Sequence, residues 1–468
     1  MLAGLVLAYL AASAALGFYA ATRVRGSADF ALAGGRFGSL VVAATVFATW
    51  FGAETVLGIP ATFLKEGLRG IAADPFSATA CLLLVALVFA RPLHRLKGLT
   101  LGDFFRERFG RPTEIALTLC IAFSYLGWVA GQFVALGLAF EVLSHGAIPL
   151  DAGIALGGVI VIAYTAAGGM WSVAITDFFQ AIVIIAGLAY VAFVLGGLAG
   201  GPASVMAEAA SNERLRFLPG ASPHAVLAWI SACLVVVLGS VPQQDVLQRV
   251  KSARGERQAV RGSAAGGLLY FAVALVPIFL ACAAARIDPA LVAELAARDP
   301  QLILPTVILQ RTPLAVQALF FGALLSAILS TAGGALLAPA VTLAENVVRP
   351  LARVRDERAL LWTLRLTVVA LGFAVLAMAL ASNHSIYDLV NDSGKVVLVS
   401  SFVPLAAGLF WKKATRRGAH ASIVLGLATW IALEAAAPEA TVPPALAGLA
   451  ASLLGMVLGS LGGRPPAA

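Results

Sequence analysis

The stretch A-T-V-F-A-T-W-F-G-A-E-T-V-L-G-I-P, Ala44 to Pro60, decides how this chain is built. It lies in an apolar run at about 37–64, and about 20 apolar residues suffice to cross a membrane. Yet Thr49, Gly52, Glu54, Thr55, Gly58 and Pro60 crowd this one span. Gly and Pro weaken a helix there, and a carboxylate inside a membrane is expensive. Two readings fit. One is a kink whose glutamate is protonated or paired. The other is a broken helix whose freed carbonyls hold an ion or a substrate, and it is favoured because intramembrane ionisable groups default to function.

The rest of the chain has the same character. Of its 468 residues 60% are hydrophobic and 12% charged, with a mean hydropathy of +0.93. A soluble domain would be about half apolar and a quarter charged. The expected fold class is an all-α polytopic membrane protein. Thirteen apolar runs are long enough to span. The seventh, at about 223–248, is also interrupted, by L-G-S-V-P-Q-Q-D from Leu238 to Asp245. Inverted-repeat transporters place broken helices at corresponding positions of their halves. Spans 2–6 (residues 37–198) and 7–11 (199–412) are therefore expected to form a 5+5 inverted repeat. Residues 1–36 and 413–468 add the first, twelfth and thirteenth spans.

Charge orients the spans. Alternate loops beginning with Arg23, Arg25 and Arg36 hold 24 of the 32 Lys and Arg residues; the opposite loops hold seven, and Lys395 fits neither set. The rich side is expected to be cytoplasmic, with the N-terminus outside and the C-terminus inside. The net charge of +8 then belongs to a membrane face, and no nucleic-acid partner is expected. Nothing resembles a cleavable signal, because Met1 to Ala21 lacks a basic leading region. Cys81, Cys120, Cys233 and Cys282 lie in apolar runs without metal-like spacing. The loops at about 199–222 and 288–312 are too short for a soluble core.

Three further stretches carry polar groups into apolar surroundings. S-T-A-G-G, Ser330 to Gly334, sits in the ninth span. It reads either as small-residue helix packing or as two hydroxyls aimed at a hard cation. G-G-M-W-S-V-A-I-T-D-F-F-Q, Gly168 to Gln180, puts Thr176, Asp177 and Gln180 on one helical face after a glycine turn. That is a capped helix start or the acidic wall of an ion pathway. Around the eleventh span stand Tyr387, Asp388, Asn391, Asp392 and Lys395. Lys395 either pairs with Asp392 locally or faces a central cavity toward Glu54.

These motifs resemble the sodium:solute symporter family. Gly168–Gln180 is similar to its signature, and G-L-F-W-K-K-A-T-R-R-G-A, Gly408 to Ala419, to its sequence after the eleventh span. S-A-I-L-S-T, Ser326 to Thr331, looks like its sodium-binding ninth span, and P-Q-Q-D-V-L-Q-R, Pro242 to Arg249, like the end of its seventh. The resemblance runs from about residue 37 to 420 and implies the LeuT-like inverted-repeat fold. It also implies a sodium site made of the carbonyls of Ala48, Phe51 and Ala327 and the hydroxyls of Ser330 and Thr331. Asp177 would then stand near the inner ion route. A-T-W-F-G and F-A-R-P-L resemble the high-affinity choline transporter branch, and Trp128 falls where that branch has a tryptophan. Gln243 replaces another of its tryptophans, and the region around Ser77 lacks its tyrosine.

With Glu54 and Lys395 adding charge instead, the expected solute is small and polar or zwitterionic. It would be held by Thr49, Trp50, Glu54, Trp128, Gln132, Gln243, Asn391 and Lys395. The expected function is sodium-coupled import by alternating access at the cytoplasmic membrane, with Na⁺ and one small solute as partners in a lipid bilayer. The competing reading is a membrane sensor module that signals through a separate partner. An enzyme is not expected: the five histidines are scattered, without an H-E-x-x-H pair.

Overall fold

The computed structural model describes residues 1–461 except residues 212, 382–385 and 387–393. Among the described residues every regular element is a helix. In chain order the apolar ones are α1 (Leu2–Ala21), α2 (Ser39–Trp50), α3 (Glu54–Glu66), α4 (Ala72–Arg95) and α5 (Arg111–Leu143). There follow α6 (Leu150–Leu198), α7 (Pro223–Gly239), α8 (Gln244–Ser252), α9 (Glu256–Ile287) and α10 (Leu314–Leu351). Last come α11 (Glu357–Ala381), α12 (Gly394–Phe410), α13 (Arg416–Ala436) and α14 (Pro444–Ser460).

Eight of these helices are long and apolar enough to cross a membrane alone, and two bent pairs bring the number to ten. The expected thirteen would also need α6 to count twice and the shorter α12 and α14 to count as spans. Length and composition alone do not establish that. The 49 residues of α6 would extend roughly 70 Å as one straight helix, over twice the apolar thickness of a bilayer. They do not run straight: Gly169 has φ 51° and ψ −135°, outside helical geometry. This is the paired-glycine turn of the Gly168–Gln180 motif.

Both interruptions read from the sequence are real bends. α2 meets α3 at 55°, and α7 meets α8 at 44°. At the first, Phe51 leaves the helix with φ −94° and ψ 77°. The amides of Thr55 and Val56 then turn back to the carbonyl of Gly52 at 3.2 and 3.3 Å. A π-turn follows over Glu54–Gly58, a geometry that occurs mostly at functional positions. At the second, Pro242 offers no amide hydrogen and disfavours helical geometry in the residue before it. The chain bridges the gap with turns from Val241 N to Leu238 O and from Gln243 N to Ser240 O, both 3.3 Å.

α10, the helix of Ser330–Gly334, sits at the centre, packed against α1, α2, α5, α6 and α8. In its most apolar window 72% of residues are buried, against 22% for α1 and α13, so those two lie at the periphery. Small side chains permit the close approach. A Cβ at Gly333 would come within 2.7 Å of the Tyr164 hydroxyl of α6.

The turn in α6 gives a test of the fold. A Cβ at Gly169 would run into the carbonyl and ring of Phe30, and the backbone there is one that L residues rarely adopt. Gly169→Ala should destabilise the purified protein by about 2 kcal/mol or more, read as a lowered melting temperature in detergent. Gly197→Ala, where nothing lies within 4 Å, is the control and should leave it nearly unchanged.

Candidate ion and solute sites

A helix that stops inside the bundle leaves its last carbonyls without partners of their own. In α2 the carbonyl of Ala48 is one of these. It accepts hydrogen bonds from Ser330 Oγ at 2.7 Å and Thr331 Oγ1 at 3.3 Å, both reaching across from α10. Ser330 Oγ also lies 3.0 Å from the carbonyl of Ala327. Four of the five residues expected to hold sodium are thus brought together, all buried. Phe51, the fifth, is buried at the break itself, and these bonds do not position its carbonyl. The donors are neutral oxygens only, the ligand type that a small hard cation takes.

Six residues beyond Ala48, Glu54 lines a cavity at the break. Its Oε2 accepts from Gln132 Nε2 at 2.8 Å and its Oε1 from Trp128 Nε1 at 3.2 Å. Gln132 returns its own oxygen to the amide of Ala53 at 3.0 Å, so one side chain of α5 fixes both the break and the carboxylate. Trp50 and Trp128 meet edge to face at 6.5 Å, and Gln243 lines the cavity from the second break. Ser240, Asp74 of α4 and Tyr270 of α9 add to the polar lining, and the Tyr270 hydroxyl donates to Asp74. Among the described residues no lining side chain is cationic.

The geometry matches a known group of transporters. A model of the sodium:solute symporter family fits residues 30–426, most of the chain. The chain belongs to the sodium:solute symporter family. It is 27% identical to the human high affinity choline transporter 1, over 88% of this chain and 73% of that protein. It is 25% identical to the high-affinity proline transporter PutP of Bacillus subtilis, over 95% of each. In solved structures it resembles a Na⁺-coupled sialic acid symporter in a substrate-bound outward-open state. The TM-score is 0.85 and identity 20%, over 99% of this chain and 98% of that one. The fold is therefore the LeuT-like one, and the chain is a multi-pass membrane transporter, not an enzyme.

Within this symporter fold several expected solute residues stand elsewhere. Lys395 does not reach Glu54. Its Nζ lies 3.4 Å from Glu434 of α13, and it lines a wider cavity with His224, Pro438 and Pro443. That cavity opens among loops poor in Lys and Arg, and it shares Val235 and Val236 with the Glu54 cavity. Gly394, the residue before Lys395, lines the Glu54 cavity. Asn391 lies outside the described residues. Thr49 turns away from the solute cavity: its Oγ1 accepts from Arg249 Nη2 at 2.7 Å.

Arg249 is the largest fully buried side chain of the symporter. It comes from α8 and passes the bare face of Gly334, where a Cβ would collide with its Nη2. It ends beside Thr49 and within electrostatic range of Asp177. Both carboxylate oxygens of Asp177 are buried, and among the described residues Thr49 and Arg249 are the groups beside them. The expected Thr176–Asp177–Gln180 face thus looks inward onto an arginine. Sequence reading counted Arg249 among loop charges, although its place seven residues after Pro242 marked it as part of a broken span. Asp74 and Tyr270 were missed as well. An acidic residue before Pro75 inside an apolar run was the available signal for the first; Tyr270 carried none.

Gly334→Ala would push the arginine from its seat. Solute uptake should fall by at least about tenfold at unchanged expression. Gly322→Ala on the same helix, whose Cβ would meet only Val183 at 3.8 Å, should keep uptake within about twofold of the parent.

Proposed function

We propose that this chain couples Na⁺ entry to the import of a small organic cation by alternating access. The observation that carries the reading is the cavity itself, where Trp50, Trp128 and Tyr270 stand beside two carboxylates and, among the described residues, no positive group. Cations are attracted to aromatic faces and to carboxylates, and an unbalanced carboxylate in the membrane is costly. A small polar or zwitterionic solute was expected, with Glu54 and Lys395 adding charge. With Lys395 held at Glu434, no cationic side chain among the described lining residues faces a solute carboxylate. Choline, the named solute of the human relative, is an organic cation; proline, that of PutP, is not. The altered cage, with Gln243 in the lining, argues for a solute other than choline. The charge split of the loops supports an external N-terminus and a cytoplasmic C-terminus in the plasma membrane. It also supports 37–198 and 199–412 as the two repeats.

Na⁺ would sit among Ala48, Ala327, Ser330 and Thr331, with Phe51 at the break beside them. One Na⁺ per solute is expected. Three and four residues after Ser330 the chain has Gly333 and Gly334, with no side-chain oxygen, and Arg249 fills the space beside the second. A fixed guanidinium there opposes a second cation.

The test is uptake into proteoliposomes under an inward Na⁺ gradient, with panels of organic cations, zwitterions and anions. Cations alone should be driven, and preference for zwitterions would overturn the solute assignment. Glu54→Gln should weaken apparent solute affinity at least about tenfold, since a charge-assisted contact is lost. Ser330→Ala with Thr331→Ala should raise the Na⁺ concentration for half-maximal uptake, and an unchanged Na⁺ dependence would refute the ion site. Reversal potentials should report one Na⁺ per solute; a ratio near two would remove the role given to Arg249.

A further inference from the structure

The solute cavity holds one more carboxylate than a single ammonium head needs. Asp74 and Glu54 line the same space and are close enough for their charges to act on each other. They are held on different walls. Glu54 is fixed by Gln132 and Trp128 of α5. Asp74 is fixed by the hydroxyl of Tyr270 of α9, which also lies 3.3 Å from Thr55 Oγ1. Every one of these partners is neutral. The aromatic pair Trp50 and Trp128 belongs to the Glu54 wall. A quaternary head without N–H groups suits aromatic faces. A carboxylate backed by a single tyrosine hydroxyl suits an N–H donor, because charge-assisted hydrogen bonds are the strong ones.

We infer that the solute carries two positively charged nitrogen groups, as in a short alkyl diamine. One head lies at Glu54 beside the tryptophans, and the other, bearing N–H, donates to Asp74. Asp74 is then the residue that separates two-headed cations from one-headed ones. The inference rests on the reading of this cavity as an organic-cation site.

The experiment uses the full chain in proteoliposomes under an inward Na⁺ gradient, with labelled diaminobutane, butylamine and choline. Diaminobutane should half-saturate uptake at a concentration at least about tenfold below either single-headed cation, the size of one good charge-assisted contact. Asp74→Asn should narrow that ratio to within about twofold. Tyr270→Phe, which keeps the carboxylate and removes its donor, should keep the preference for the diamine. Thermal stabilisation of each purified variant by Na⁺ alone reports whether it is folded, and a folded Asp74→Asn can be read by ligand-induced shifts even where uptake is slow. Equal half-saturation by diamine and monoamine, both driven by Na⁺, overturns the two-headed solute and leaves the organic-cation reading standing. A diamine preference that survives Asp74→Asn overturns the role of Asp74. Failure of every organic cation to be driven overturns the function proposed above, and this inference with it.

Discussion

The Ala48 carbonyl is left without a helical partner in the middle of a membrane protein, and much of the interior is arranged around that fact. An unsatisfied carbonyl in hydrocarbon costs several kcal/mol, roughly, so irregular backbone survives there only where protein or a cavity meets it. Here Ser330 and Thr331 meet it from the most buried helix of the bundle. That contact requires α10 at the centre, which in turn requires the bare faces of Gly333 and Gly334 against Tyr164 and Arg249. The break that frees Ala48 also aims Glu54, six residues later, into the solute cavity. Ion and solute would therefore act on two ends of one bend. Whatever stabilises the bend from one end favours binding at the other, and the coupling is necessarily reciprocal.

Much of this could be read from residues alone because the chemistry is local. Gly52, Gly58 and Pro60 beside Glu54, and Pro242 inside an apolar run, each break a helix by known backbone effects, and both bends are present. The hydroxyl pair at Ser330 and Thr331 announced itself as polar groups without reason to face lipid. What could not be read is what each polar group meets. Lys395 and Glu54 are both charges in or near spans, and pairing them is the economical guess. Yet Glu434, 39 residues later, reaches the lysine first. Arg249 looked like one loop charge among many, since only the fold shows that α8 turns inward after Pro242. Asp74 and Tyr270 lie 196 positions apart and become one unit only when α4 and α9 pack.

The pair of Lys395 and Glu434 has a consequence for the helices at the end of the chain. α13 belongs to the portion expected to lie outside the two five-span repeats, and such portions are easily regarded as dispensable. Its glutamate nevertheless meets Lys395, which lines a cavity next to the one around Glu54. Charges beside such cavities set encounter rates more than equilibrium affinities. The appended span thus places a negative charge beside a cavity that other helices also line. A shortened chain could keep its cavity intact and still admit its cargo slowly.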